Sequence, residues 1–158
     1  MMISIIYNIL NLNSLSSNKI TSKGASLLFN TLKECKSSVE TISLYINELD
    51  DDCMKSFGEF IQNNNTVKNI IIGDNKITDK GIEILPPYLI GNITINELNV
   101  KGNKGITDKS VPLLIEIIQK SIIEDIRETS ITNKNIIVVP LIENKLKNGS
   151  DKIYMSDR

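Results

Sequence analysis

Histidine and tryptophan are absent from the 158 residues of this chain, and aromatic residues make up only 4% of it. Without histidine, the protein lacks the commonest general base and the commonest ligand of transition metals. A serine–histidine–aspartate triad is therefore excluded, and we expect neither an enzyme nor a bound cofactor. So few aromatic rings also cannot form a base-stacking platform for single-stranded nucleic acid.

The chain also lacks an excess of either charge, because 18 basic residues stand against 19 acidic ones and the net charge is −1. A balanced charge gives no long-range attraction for nucleic acid or for an anionic membrane. No stretch approaches the roughly 18 consecutive apolar residues that a transmembrane helix needs. We therefore expect a protein that binds neither nucleic acid nor membranes.

Cysteine is scarce, since Cys35 and Cys53 are the only thiols. A small secreted domain held together by disulfides would contain more of them. We expect both to be reduced, semi-buried residues of a cytoplasmic protein. Cys35 falls near the end of a predicted helix, where the helix dipole opposes a thiolate, so we do not expect a cysteine nucleophile.

What the sequence does contain is an internal repeat. Four asparagines lie in matching contexts, 28 or 29 residues apart: Asn18, Asn47, Asn75 and Asn103. Apolar residues recur eight, five and three positions before each asparagine, as Val67, Ile70 and Ile72 do in the third unit, except that Asn13 breaks the pattern in the first unit. The alternation predicts a short strand with one buried face. The side-chain amides of the stacked asparagines are expected to satisfy neighbouring backbone groups, since an amide both donates and accepts.

The apolar pattern after each asparagine predicts a helix that covers the buried face of the strand. One inward row of these helices is Ala25, Met54, Ile82 and Val111, and Leu28 and Ile118 are expected in further inward rows.

This pattern, L-x-x-L-x-L-x-x-N-x-L, resembles that of leucine-rich repeats, and its unit length resembles the ribonuclease-inhibitor-like class. The resemblance covers Leu10 to Ile118. It implies an α/β solenoid of right-handed βα coils, with parallel strands on the concave side and helices on the convex side. We expect about five units in a single domain over residues 1–148, followed by a C-terminal tail over residues 149–158.

The last unit is degenerate and contains no matching asparagine. With Thr129 placed at the asparagine position, Ile126 falls three residues before it and Glu124 falls at an inward position. Ile123 then faces outward. A charge at an inward position is tolerable in a terminal repeat, which has one face toward water. A last helix is expected from Ile136 to about Lys147.

Proline marks the helical side of the repeats. Pro86 and Pro87 cannot both lie inside a regular helix, so the third helix should break near Leu85 and restart. Pro112 lacks this effect because it fits the first turn of the following helix.

An acidic run, Glu48 and Asp50 to Asp52, has two interpretations, a divalent-metal site or helix capping. The run falls directly before the second helix, where carboxylates accept hydrogen bonds from free N–H groups and favour the helix dipole. Asp79 and Asp108 take the equivalent place in later units. We therefore interpret these carboxylates as capping residues and predict no metal site.

The outward strand positions are the candidate site, because alternate residues of a strand point to opposite faces. They lie two, four and six residues before each asparagine and carry hydroxyl, amide, apolar and charged groups. The candidate partner-binding residues are Thr41, Ser43, Tyr45, Asn69, Ile71, Glu97, Asn99, Lys101, Asp125 and Arg127. Tyrosine and arginine are enriched at interface hot spots.

We interpret the chain as a non-catalytic module that binds a protein partner of unknown identity through the concave strand face, with Tyr45 and Ile71 as anchors. Segments such as Gly73 to Thr78 also resemble the repeats of tropomodulin and of Ran GTPase-activating proteins. That resemblance implies an alternative, regulation of a small GTPase or of actin filament ends. A third alternative is a structural protein that self-associates into a homo-oligomer through the apolar first repeat, whose Met1 to Tyr7 lacks a polar cap.

Overall fold

The structure is a computed structural model. It describes residues 15–34 and 39–123, and the backbone of residues 125–127. The described elements are α1 Ser22–Glu34, β1 Thr41–Ser43, α2 Met54–Asn63, β2 Asn69–Ile71, α3 Asp79–Glu83, α4 Pro86–Leu89, β3 Glu97–Asn99, α5 Val111–Lys120 and β4 Asp125–Arg127. A single 3-10 turn precedes α2 and another precedes α5.

The strands form one parallel sheet in the order β1-β2-β3-β4. Ile42, Ile70, Leu98 and Ile126 lie in register across it, so the repeat has a period of 28 residues. The chain of the first unit runs alongside β1, where the N–H of Leu15 donates to the carbonyl of Ser43 at 2.9 Å. Helical turns and then the next parallel strand follow each of β1, β2 and β3. The predicted α/β solenoid is confirmed.

The core lies between the sheet and the helices. The apolar residues that point inward from the strands are buried, and so is the predicted helical row, Ala25, Met54, Ile82 and Val111. Two residues expected at inward helix positions, Leu28 and Ile118, are only half-buried. Their neighbours Phe29 and Ile117 occupy the core instead.

The repeated asparagines join each coil to the one before it. We call Asn47, Asn75 and Asn103 the asparagine ladder. The side-chain oxygen of each of these three accepts a hydrogen bond at 3.0 Å from a backbone N–H of the preceding coil. These pairs are Asn47 with Ile20, Asn75 with Leu49, and Asn103 with Ile77. The side-chain NH₂ of Asn103 donates to the carbonyls of Ile72 and Val100. One amide therefore satisfies backbone groups of two coils, as the sequence predicted.

The residue before each asparagine has a left-handed backbone, which the sequence analysis missed. The φ angles are 58° at Ser17, 54° at Ile46, 49° at Asp74 and 81° at Gly102. Glycine adopts this region freely, but the other three residues do not indicate it by their type. The chain turns here because the asparagine that follows must reach back into the stack.

The broken third helix is confirmed. α3 ends at Glu83 and α4 begins at Pro86, while Pro112 lies in the first turn of α5. The ring of Tyr88, in α4, packs directly on Gly58 of α2, where any side chain would collide with it. The short α4 can therefore approach α2 closely enough to continue the convex side.

The predicted register of the last unit is wrong by two residues. Ile126 pairs with Leu98, which places it five residues before the asparagine position and not three. Ile123 is 0% exposed and belongs to the core, not to the outward face. The register was predicted from Thr129 as a substitute for the missing asparagine, and this substitute is wrong. The 28-residue period, continued from Leu98, gives Ile126 and therefore the observed pairing.

Several expectations fall outside the described residues. They concern the Met1 to Tyr7 segment, Cys35, the helix after Ile136 and the tail over residues 149–158. Within the described part of the chain, no helix combines the length and the apolar character that crossing a membrane requires.

Candidate functional site

The sheet register arranges the predicted outward residues in three rows on one face. The first row is Thr41, Asn69, Glu97 and Asp125, and the second is Ser43, Ile71, Asn99 and Arg127. A third row, directly after the strands, is Tyr45, Gly73 and Lys101. We call these three rows the concave face. Register places Asp125 and Arg127 on it by their backbone, and the other eight candidates are placed with their side chains.

Several polar side chains of the concave face already have hydrogen-bond partners within the protein. The amide of Asn69 donates to the Thr41 hydroxyl at 3.1 Å, and the hydroxyls of Ser16 and Ser43 lie 2.8 Å apart. The side-chain oxygen of Asn99 accepts from the backbone N–H of Lys101 at 3.1 Å. Groups that already have partners contribute little net free energy to a new contact. These polar side chains define the shape of the surface. The residues that contribute most to the free energy of binding must be other side chains of the concave face.

Tyr45 is held in place by residues of the next two coils. A side chain at Gly73 would begin only 3.2 Å from a ring carbon of Tyr45 and 2.6 Å from the backbone oxygen of Lys101. Glycine therefore leaves the space that the aromatic ring occupies. The Asp74 carboxylate raises the pKa of Tyr45, first by a hydrogen bond with its hydroxyl, and burial and negative charge add to this.

The residues with a left-handed backbone directly before each asparagine form the rim of the concave face, namely Ser17, Ile46, Asp74 and Gly102. The carboxylate of Asp74 lies against the Cα of Gly102, at a distance that no side chain there could tolerate. Asp74 therefore links the hydroxyl of Tyr45, in the second coil, to the backbone of the fourth. Ile46 takes the same rim position in the second coil and is among the exposed large apolar residues.

The acidic run does more than the predicted capping. Asp50 accepts from the backbone N–H of Asp52 at 3.1 Å, which caps the 3-10 turn as predicted. Asp51 instead binds the next coil, accepting from the N–H and the hydroxyl of Thr78 at 2.8 and 2.6 Å. The later caps are Thr78 and Thr107, so the predicted capping role of Asp79 and Asp108 is corrected.

Asp79 repeats the function of Asp51 one coil later. It accepts from the N–H and the hydroxyl of Thr107, and from the hydroxyl of Ser110 at 2.6 Å. Burial raises the pKa of Asp79, but the hydrogen bonds from Ser110 and Thr107 outweigh it and leave the pKa below its ordinary value. Among the described residues, no three histidine, cysteine, aspartate or glutamate side chains are grouped to hold a metal ion.

Cys53 is a packing residue and not a reactive thiol. It is free and fully buried, and its thiol donates to the backbone oxygen of Asp50 at 3.3 Å. Burial raises its pKa to about 11, so the thiolate is disfavoured at neutral pH. The residue is therefore more deeply buried than the semi-buried position that the sequence predicted.

Comparison with known proteins agrees with this geometry. A family model described as a leucine-rich repeat matches residues 14–29, 63–85 and 91–111. The solved structure of Leiomodin-1 Actin-Binding Site 2 (ABS2) is similar to 90% of this chain and 88% of that chain, with a TM-score of 0.68 and 16% sequence identity. At this identity the likeness shows the fold alone. No curated protein matches the sequence.

The repeat and the fold point to a domain that binds proteins and not to an enzyme. The ribonuclease-inhibitor-like subclass stays a prediction. The 28-residue period, the asparagine ladder, the parallel sheet and the matched repeats show that the chain contains leucine-rich repeats.

Proposed function

We propose that this protein binds another protein through its concave face, with Tyr45 as the main anchor. One observation carries the proposal, which is that the largest side chain of the face is already fixed. Its ring rests on Gly73, where a side chain would begin only 3.2 Å from a ring carbon. A fixed aromatic ring offers contact area without the entropy cost of ordering a mobile side chain.

The surroundings of Tyr45 support this assignment. Ile71 lies half-buried in the neighbouring row, and Lys101 is exposed two strands away in the same row. Apolar area at the centre with charge toward the edge is the usual arrangement of an interface hot spot. Hydroxyl and amide side chains that already have partners within the protein, such as those of Thr41, Asn69 and Ser43, lie around these anchors.

Affinity capture with matched variants tests the proposal. The wild type, Tyr45→Ala, Lys101→Glu and a control, Lys55→Glu on the exposed side of α2, are immobilised and the retained proteins are quantified by mass spectrometry. We expect at least one protein that the wild type and the control retain but both concave variants lose. Thermal unfolding of each variant verifies that the fold is intact. Identical capture profiles for all four proteins would refute the concave-face assignment.

A narrower candidate partner is actin. The structural neighbour is named as an actin-binding site, and the two chains are similar over most of their lengths. Co-sedimentation with actin filaments and the rate of pyrene-actin assembly test this directly, with Tyr45→Ala as the variant that should weaken any effect. If neither filaments nor monomers bind, actin is removed as a candidate, and the broader proposal is still judged by the capture experiment.

A further inference from the structure

Ile46 stands in an unfavourable backbone conformation. Its φ of 54° lies in the left-handed region, where the Cβ atom crowds the backbone, and a β-branched side chain crowds it most. The equivalent positions of the other coils carry Ser17, Asp74 and Gly102, which tolerate this region better. Among the described residues with a left-handed backbone, Ile46 is the β-branched one.

The side chain of Ile46 is also poorly buried. The side chain of Ile46 is 46% exposed, whereas the nearby inward residues Leu44 and Leu49 are fully buried. An exposed apolar residue in a strained conformation is unfavourable twice for the isolated protein. Strained residues that are not glycine persist mainly at sites where function maintains them.

The position of Ile46 connects it to the proposed binding face. It follows Tyr45 directly, and its N–H donates to the carbonyl of Gly73, the residue on which the Tyr45 ring lies. Lys101 lies two strands away, at about 10 Å. In the part of the chain that the structure describes, the ammonium group of Lys101 makes no ion pair.

We propose that Tyr45 and Ile46 together receive one bulky apolar side chain of the protein partner, and that Lys101 pairs with a carboxylate of the same partner segment. This inference rests on the proposed function and adds the chemistry of the partner. The exposed ammonium group of Lys101 is complementary in charge to such a carboxylate. The two partner groups lie about 10 Å apart, roughly three residues of an extended chain.

A random-peptide phage library tests this chemistry, and the selected peptides are then synthesised and titrated by fluorescence anisotropy. We expect peptides with a bulky apolar residue close to an aspartate or glutamate. Ile46→Gly should weaken their binding about tenfold while raising the melting temperature, so lost binding cannot be ascribed to unfolding. Ile93→Asn is the matched control, because Ile93 is 81% exposed in a loop away from the concave face and should leave affinity unchanged.

A charge exchange tests the second contact. Lys101→Glu should weaken the same peptides, and replacing the acidic residue of the peptide by lysine should restore binding to that variant. Two results would overturn this inference without refuting the proposed function. One is that the selected peptides need Tyr45 but not Ile46 or Lys101, and the other is that the library yields no Tyr45-dependent peptide. Peptides and captured proteins that are both indifferent to Tyr45→Ala would overturn the two together.

Discussion

The inner and outer sides of the same strands differ in how much one coil resembles the next. On the inner side, Ile42, Ile70, Leu98 and Ile126 take equivalent places, and successive asparagines make equivalent hydrogen bonds. On the outer side, Thr41 is followed by Asn69 and then by Glu97. Two adjacent residues of one strand can therefore be under opposite constraints.

The difference follows from what each side must contact. An inner side chain packs between two other coils that carry the same pattern, so its size and its hydrogen bonds are fixed by stacking. An outer side chain faces solvent or a partner, and only a few local contacts restrict it. Stability should therefore depend on the inner side and recognition on the outer side, and substitutions can test this separation.

The largest effect is expected from Leu98→Ala. Leu98 is buried in the central part of the sheet, so its removal leaves a cavity and should lower the free energy of unfolding by about 2–5 kcal/mol. Leu27→Ala is the control, because Leu27 is 70% exposed on α1 and its loss should cost less than about 0.5 kcal/mol. Urea unfolding followed by circular dichroism measures both. Equal losses of the free energy of unfolding in Leu98→Ala and Leu27→Ala would contradict the view that stability depends on the inner side.

The asparagine ladder gives the next comparison. Asn103 is 0% exposed, and alanine there would leave the N–H of Ile77 without this partner and would remove one hydrogen bond from each of the carbonyls of Ile72 and Val100. Stranded buried groups cost about 1–3 kcal/mol each, part of which local rearrangement recovers. Asn18→Ala should have little effect, since Asn18 is exposed and donates to the carbonyls of Leu15 and Ser16. The measurement is again the urea midpoint.

Unlike the two preceding substitutions, Ile46→Gly is expected to stabilise the protein. Relief of the left-handed conformation should raise the free energy of unfolding by about 1 kcal/mol, although loss of the half-exposed side chain offsets part of this gain. The same substitution at Ile42, an inward strand residue, should destabilise strongly. Differential scanning calorimetry of the two variants provides the test. A fall in melting temperature for Ile46→Gly would mean that its packing outweighs the strain.

Much of the inner side could be predicted from the sequence, because its pattern repeats. The period, the asparagine ladder and the break at Pro86 follow from residue types at fixed spacings. The last unit was misplaced because its asparagine is missing, and the register of Ile126 is set by pairing with Leu98 and not by a local signature.

For the outer side, the sequence predicts which residues face outward but not the contacts between them. The contact of Tyr45 with Gly73 and Asp74 joins residues about one coil apart in sequence, and neither residue type indicates it. The left-handed backbone of Ser17, Ile46 and Asp74 is likewise imposed by the stack, against local preference. The strain at Ile46, which carries the inference about the partner, is therefore visible only in the structure.

The smallest expected effect is the pH dependence that comes from Asp79. Its pKa is lowered in the folded chain by hydrogen bonds from Ser110 and Thr107, which favour the charged form. The stabilisation is fully present above the ordinary pKa of 3.8 and is lost as pH falls through the lowered pKa of the folded state. In Asp79→Asn the urea midpoint should therefore fall less steeply than in the wild type below pH 3.8. Since Asp79 joins two coils on the side away from the concave face, peptide binding at neutral pH should stay unchanged, and a parallel loss of binding would show that the two sides are coupled.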